Sequence, residues 1–105
     1  MWKVLIEENA LQFLDSVDKR RRENIKETLR LLKISPYTRQ GAGDKKEIKG
    51  TSKRVFRIRV GDYRAFYVIE EASKIVKITE IMTAEAAHKK YGQLGSIALH
   101  IFTTI

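Results

Sequence analysis

Two alternating runs, residues 53–60 and 63–69, are separated only by Gly61 and Asp62, and no other feature narrows the fold as much. A two-residue loop between runs of period two is a hairpin with one register. Val60 then pairs with Tyr63, Arg59 with Arg64, Ile58 with Ala65, Arg57 with Phe66 and Phe56 with Tyr67. Side chains alternate across a strand. Phe56, Ile58, Val60, Tyr63, Ala65 and Tyr67 therefore share an apolar face fit for burial. Arg57, Arg59, Arg64 and Phe66 share the other. Like charges directly opposite one another are unfavourable in a sheet, so Arg59 against Arg64 needs a reason. One reading is a solvated face with splayed arginines. The other is a set of three guanidiniums converging on an anion, most simply a phosphate, which the planar fork of arginine matches.

The surrounding charge favours the anion. Between Asp44 and Arg64 stand eight basic residues (Lys45, Lys46, Lys49, Lys53, Arg54, Arg57, Arg59, Arg64) and three acidic ones (Asp44, Glu47, Asp62). This stretch, about a fifth of the chain, holds +5 of the net +8. So local a footprint points to a polyanion partner, with Lys45, Lys46, Lys49, Lys53 and Arg54 as candidate nucleic-acid-binding residues beside the arginine trio. The sequence pI near 9.9 points the same way.

Other classes are excluded by what the chain lacks. There are no cysteines, which rules out disulfides and thiol chemistry. The two histidines, His88 and His100, offer no zinc-ligand spacing, so neither a metal nor a cofactor is expected. Met1 to Ile6 reads as a strand rather than a signal peptide, and no run approaches the length of a membrane span. A cytoplasmic protein with no membrane partner is the expectation. At 105 residues, 43% of them hydrophobic, the chain suits one domain with a modest core.

In chain order, residues 2–7 alternate as a first strand. Asn9 is the expected N-cap of a short helix carrying Leu11, Phe13, Leu14 and Val17. Asp18 caps a second helix over about residues 19–33, with Ile25, Leu29 and Leu32 as its apolar stripe. The run Lys19-Arg20-Arg21-Arg22 stands at the end of that helix where its dipole disfavours positive charge, and reads mostly as surface. Ser35-Pro36 ends the helix. A glycine-containing loop follows, then a short strand at residues 47–50, the hairpin, and a last strand over residues 75–82. Thr83 caps a final helix, residues 84–91, closed by Gly92. The segment 95–105 is an apolar tail expected to pack on the body or on a partner chain. The fold class is α+β: a small antiparallel sheet, made of the N-terminal strand plus a C-terminal meander, with a helical hairpin on one face and a short C-terminal helix.

The order of these elements, together with Lys49-Gly50, Phe56-Arg57-Ile58-Arg59-Val60-Gly61-Asp62-Tyr63-Arg64 and Tyr67-Val68-Ile69, closely resembles the RelE/ParE superfamily of toxin–antitoxin toxins. The resemblance covers residues 1–91 and leaves 92–105 as a tail. It implies a cytoplasmic, ribosome-dependent mRNA endoribonuclease that acts in the ribosomal A site. It also implies inhibition by a cognate antitoxin, small and acidic. The ParE branch, whose members inhibit DNA gyrase, shares the fold, and a catalytically degenerate RNA- or antitoxin-binding module is a third outcome. The family's phosphate-binding basic residues fall on Arg57, Arg59 and Arg64. Its C-terminal aromatic or imidazole group falls on Tyr91, with His88 one turn before it. A further family arginine, just after the last strand, has no counterpart in Ile81-Met82-Thr83-Ala84-Glu85.

The implied reaction is attack of a ribose 2′-hydroxyl on the adjacent phosphate. Arginine stabilises the charge that develops but stays protonated, so it cannot serve as the base. Glu47 and His88 are the titratable candidates for that role. Phe66 is placed to stack on a base or simply to pack.

Overall fold

The sheet is built around the hairpin at residues 55–70. A computed structural model of the chain describes residues 1–92. They form strands β1 (Lys3–Ile6), β2 (Lys45–Ile48), β3 (Val55–Val60), β4 (Tyr63–Glu70) and β5 (Ile75–Thr83), and helices α1 (Glu8–Ser16), α2 (Lys19–Arg30) and α3 (Ala84–Ala87). A 3-10 turn, Leu31–Lys33, prolongs α2, and a π-helical turn, His88–Gly92, prolongs α3. The apolar tail, residues 95–105, lies outside the described residues.

The five strands make one sheet in the order β1-β5-β4-β3-β2. The β3–β4 register is the one that the two-residue turn dictates, from Val60 opposite Tyr63 to Phe56 opposite Tyr67. Gly61 adopts φ 54° and Asp62 stays outside the positive-φ region, the type II′ pattern that suits the right-handed twist of a hairpin. Strands β2 to β5 are antiparallel, whereas β1 pairs in parallel with β5, Lys3 opposite Ile75 through Ile6 opposite Ile78. The N-terminal strand therefore does not join an all-antiparallel sheet. A parallel neighbour requires a long crossover, and here the helices and the meander supply it.

The core lies between the sheet and the α1–α2 hairpin. Phe56, Ile58, Ala65, Tyr67, Val76, Ile78 and Ile81 from the sheet meet Ala10, Leu14, Ile25, Leu29 and Leu32 from the helices, all buried. Ile78 and Ile81 are three residues apart, so simple alternation would put them on opposite faces. A bulge resolves this. Phe66 faces Glu80 while Tyr67 faces Ile78, which leaves Thr79 as the extra residue, its hydroxyl donating to the Phe66 carbonyl at 3.3 Å.

Capping follows chemistry in one helix and topology in the other. The Asp18 carboxylate accepts from the Arg21 amide at 2.9 Å, and that bond is the leading cause of its lowered pKa. Asn9 is not the cap of α1. The Glu7 amide instead donates to the Ile78 carbonyl at 2.9 Å and its own carbonyl accepts from Leu11, so β1 runs straight into the helix. Arg22, at the unfavourable end of α2, reaches the favourable end of α1. It donates to the carbonyls of Leu14 (3.2 Å), Asp15 (3.3 Å) and Val17 (2.9 Å), groups that the ending helix leaves without partners.

Thr83 caps α3, its hydroxyl accepting from the Ala86 amide at 3.2 Å. The Ala84 amide donates to the Asp62 carbonyl at 2.7 Å, which ties the start of that helix to the hairpin turn. Gly92 ends the π-helical turn, and a side chain there would stand 3.5 Å from the His88 ring.

Candidate nucleic-acid cleft

The sheet face turned away from the helical hairpin carries the arginines. Arg57 on β3 and Arg64 on β4 line a cleft of about 530 Å³, with Lys46, Ile48 and Lys49 from β2 and its following turn on one side. Phe66, Ala87, His88 and Tyr91 form the other side. Lys46 pairs with Arg57 in register, so alternation puts both on the same face. Arg59 shares that face opposite Arg64 and is exposed just beyond the cleft.

Two of the three guanidiniums, those of Arg64 and Arg57, have partners within the fold. Arg64 curls back to donate to the Gly61 and Tyr63 carbonyls, each at 2.8 Å. Burial, and then the charges of Arg59 and Arg57, push its pKa down, although it remains a cation at any physiological pH. Arg57, only 17% exposed, faces the Asp44 carboxylate at 3.6 Å. The Asp44 carbonyl also accepts from the Arg59 amide at 3.0 Å, so the loop before β2 is fastened to the strand that carries two of the arginines.

The remaining basic residues divide by strand face. Lys45 points to the opposite side from Lys46. Its ammonium donates to the Ser35 carbonyl at 2.9 Å and to that of Gln40, and burial lowers its pKa. Arg54 turns to the same side as the core, pairing through two nitrogens with both Glu47 oxygens (3.0 and 3.1 Å) and lying 5.2 Å from the centre of the Phe56 ring. Lys53 is exposed in the turn and lies apart from the cleft. The structure thus brings Lys46 and Lys49 to the arginines, and leaves Lys45, Lys53 and Arg54 elsewhere. Glu47 is held as a carboxylate by the Arg54 hydrogen bond, which lowers its pKa and weakens it as a proton acceptor.

His88 is exposed at the mouth of the cleft, at the start of the π-helical turn. Tyr91 is more constrained. Its ring stacks on Phe66 with centroids 4.3 Å apart, and its hydroxyl donates to Glu80 at 2.7 Å. Burial first, and then that hydrogen bond, raise its pKa and keep the phenol protonated. Phe66 is 1% exposed beneath it, so this ring packs and offers no free stacking surface. Two residues beside the cleft were not found by reading the sequence: Asp44 reads as loop, and Glu80 reaches this face only through the bulge at Thr79, whose signal is the break in alternation between Ile78 and Ile81.

A five-stranded sheet with a helical hairpin on one face and a basic cleft on the other defines a RelE-like α+β fold. The chain matches the family model of the ParE toxin of the type II toxin–antitoxin system over residues 3–87. It belongs to that family, within the RelE/ParE superfamily of toxins of type II toxin–antitoxin systems.

Solved structures agree. A chain of the RelE–RelB complex from Pyrococcus horikoshii OT3 is 26% identical, with a TM-score of 0.66 over 78% of this chain and 93% of that one. A chain of the RelB–RelE complex from Methanococcus jannaschii is 21% identical, with a TM-score of 0.63 over 83% and 98%. The YoeB/ParE toxin from Agrobacterium tumefaciens is 19% identical, with a TM-score of 0.63 over 77% and 96%. No curated protein sequence matches the chain.

Proposed function

We propose that this toxin is a ribosome-dependent mRNA endoribonuclease, held inactive by a small acidic antitoxin. One observation carries the reading: Arg57 and Arg64, from adjacent strands, line a single cleft with His88 at its mouth. Such a cleft fits a phosphate of single-stranded RNA better than a duplex, which the flanking strand β2 and the π-helical turn would obstruct.

The reaction is attack by a ribose 2′-oxygen on the neighbouring phosphorus. The 2′-oxygen–phosphorus bond forms and the bond to the 5′-oxygen breaks, leaving a 2′,3′-cyclic phosphate and a 5′-hydroxyl. His88 takes the proton of the 2′-hydroxyl, and the departing oxygen gains its proton from water. Negative charge grows on the phosphate oxygens, and Arg57 and Arg64, which line the cleft, stabilise it. Removing one such prepositioned donor costs about 2.7–4 kcal/mol of transition-state stabilisation. Lys46 and Lys49 hold the flanking backbone. The RelE chains from Pyrococcus horikoshii OT3 and Methanococcus jannaschii are each in complex with RelB, which supports a cognate antitoxin here.

The test is cleavage of an in-frame message in a translating extract, mapped by primer extension. Cleavage by the parent and its loss in Arg64→Ala support the proposal. An intact message in the presence of folded parent toxin refutes it. A second reading, inhibition of DNA gyrase, is favoured by the ParE family model and by Met82-Thr83-Ala84, where β5 ends without an arginine. Blocked supercoiling by purified gyrase, with messages intact, would establish that reading. Neither effect, with antitoxin binding retained, would identify a degenerate binding module.

A further inference from the structure

The Glu80 carboxylate sits on β5 directly opposite Phe66, 24% exposed, on the face that carries the cleft. It accepts from the Tyr91 hydroxyl at 2.7 Å through one oxygen and from the Lys90 ammonium at 2.6 Å through the other. Both partners belong to the π-helical turn that begins with His88. A four-residue α3 is too short to hold its position by helix propensity alone. Among the described residues, two groups anchor the turn that follows it: Phe66 beneath the Tyr91 ring, and Glu80 beneath the Tyr91 hydroxyl and Lys90.

The two anchors act differently. Stacking of Tyr91 on Phe66 is tolerant of sliding and rotation, because aromatic pairs accept a range of offsets. A carboxylate gripped by an ammonium and a phenol fixes both distance and direction, and charge-assisted bonds of this kind are the stronger ones. We propose that Glu80 is a positioning residue for the cleft: by clamping Lys90 and Tyr91 it sets the π-helical turn, and through it the place of His88 against Arg57 and Arg64. This assignment rests on the endoribonuclease reading for its catalytic consequence, but the geometry can be tested without it. Lys90 is consequently an internal partner rather than a phosphate ligand.

The experiment compares the parent with Glu80→Ala and Glu80→Gln by NMR and by message cleavage. The NMR readouts are contacts between the Phe66 and Tyr91 rings and the pH titration of the His88 ring. Glu80 lies outside the core, so both variants are expected to melt within a few degrees of the parent. Glu80→Ala is expected to lose or broaden the Phe66–Tyr91 contacts and to shift the His88 titration. Its single-turnover cleavage rate should fall about tenfold to a hundredfold, the scale of a misplacement near 1 Å, while affinity for the message stays within about twofold. Glu80→Gln keeps an acceptor for Tyr91 and is expected to fall between.

Unchanged ring contacts and an unchanged His88 titration in Glu80→Ala would overturn the proposal, whatever the activity. Lost contacts with parent-like cleavage would equally overturn it. If the parent cleaves no message, the endoribonuclease reading fails, and the ring contacts with the His88 titration still decide whether Glu80 sets the turn.

Discussion

Arg59 lies directly across the β3–β4 hairpin from Arg64, and the Arg64 guanidinium turns away from it to donate to the Gly61 and Tyr63 carbonyls. Two cations therefore share one face of the hairpin, a pairing that costs stability.

Arg59→Ala should therefore raise stability by roughly 0.2–1 kcal/mol, since a like-charge cross-strand pair is relieved. The gain should shrink as salt rises, because exposed charges are screened. The double variant Arg59→Ala with Arg64→Ala should abolish message cleavage and remain folded. Urea unfolding at low and high salt measures the first effect; a double variant that melts far below the parent would show that Arg64 is chiefly a turn clamp.

Arg22 and Arg20 stand in the same basic run with different consequences. Arg22 satisfies three carbonyls at the end of α1, whereas Arg20 is exposed. Arg22→Ala should cost about 1–2 kcal/mol, the scale of a partly buried cation at a helix C-terminus. Arg20→Ala should stay within about 0.5 kcal/mol of the parent. Equal unfolding midpoints for the two variants would contradict the capping role.

Tyr67 is buried at the centre of the sheet and donates to the Pro36 carbonyl at 2.7 Å. Burial raises its pKa above the ordinary value of 10.0. A raised folded-state pKa means that the native state keeps a proton which the unfolded chain loses. The contribution of Tyr67 is thus complete below pH 10 and declines as pH climbs from there toward the folded-state pKa. Tyr67→Phe should cost about 1–3 kcal/mol at neutral pH by leaving the carbonyl unpaired. It should also flatten the alkaline loss of stability, which denaturation between pH 9 and 11 will read.

Gly43 has φ +107°, and a Cβ there would stand 3.0 Å from Ile58 Cδ1. Gly43→Ala should destabilise by roughly 1–3 kcal/mol through backbone strain. Asp44 follows immediately and braces Arg57 and Arg59, so the same change should weaken binding of a short single-stranded RNA. Titration in parallel with thermal melting separates the two. Weaker binding should appear even at temperatures where the variant is fully folded.

What the amino-acid order determined by itself was local. Gly61-Asp62 can close only one register, so the arginine face and the core face of the hairpin were legible before any coordinates. Asp18 and Thr83 cap their helices because the groups they satisfy lie three residues away. Tertiary structure alone decided the partners that are distant in sequence. Nothing near Arg22 announces the open carbonyls of α1, and nothing in Lys3–Ile6 says that its neighbour is β5 or that the two run parallel. The spacing of Val76, Ile78 and Ile81 does hold the bulge, as a break in alternation, but only packing against Ala65 and Tyr67 shows that both isoleucines turn inward. For the same reason Lys45 and Arg54, counted with the basic stretch, were drawn to carbonyls and a carboxylate on the far side of their strands. Charge composition is additive along a chain. The face on which each charge emerges depends on strand pairing and on the burial that pairing enforces.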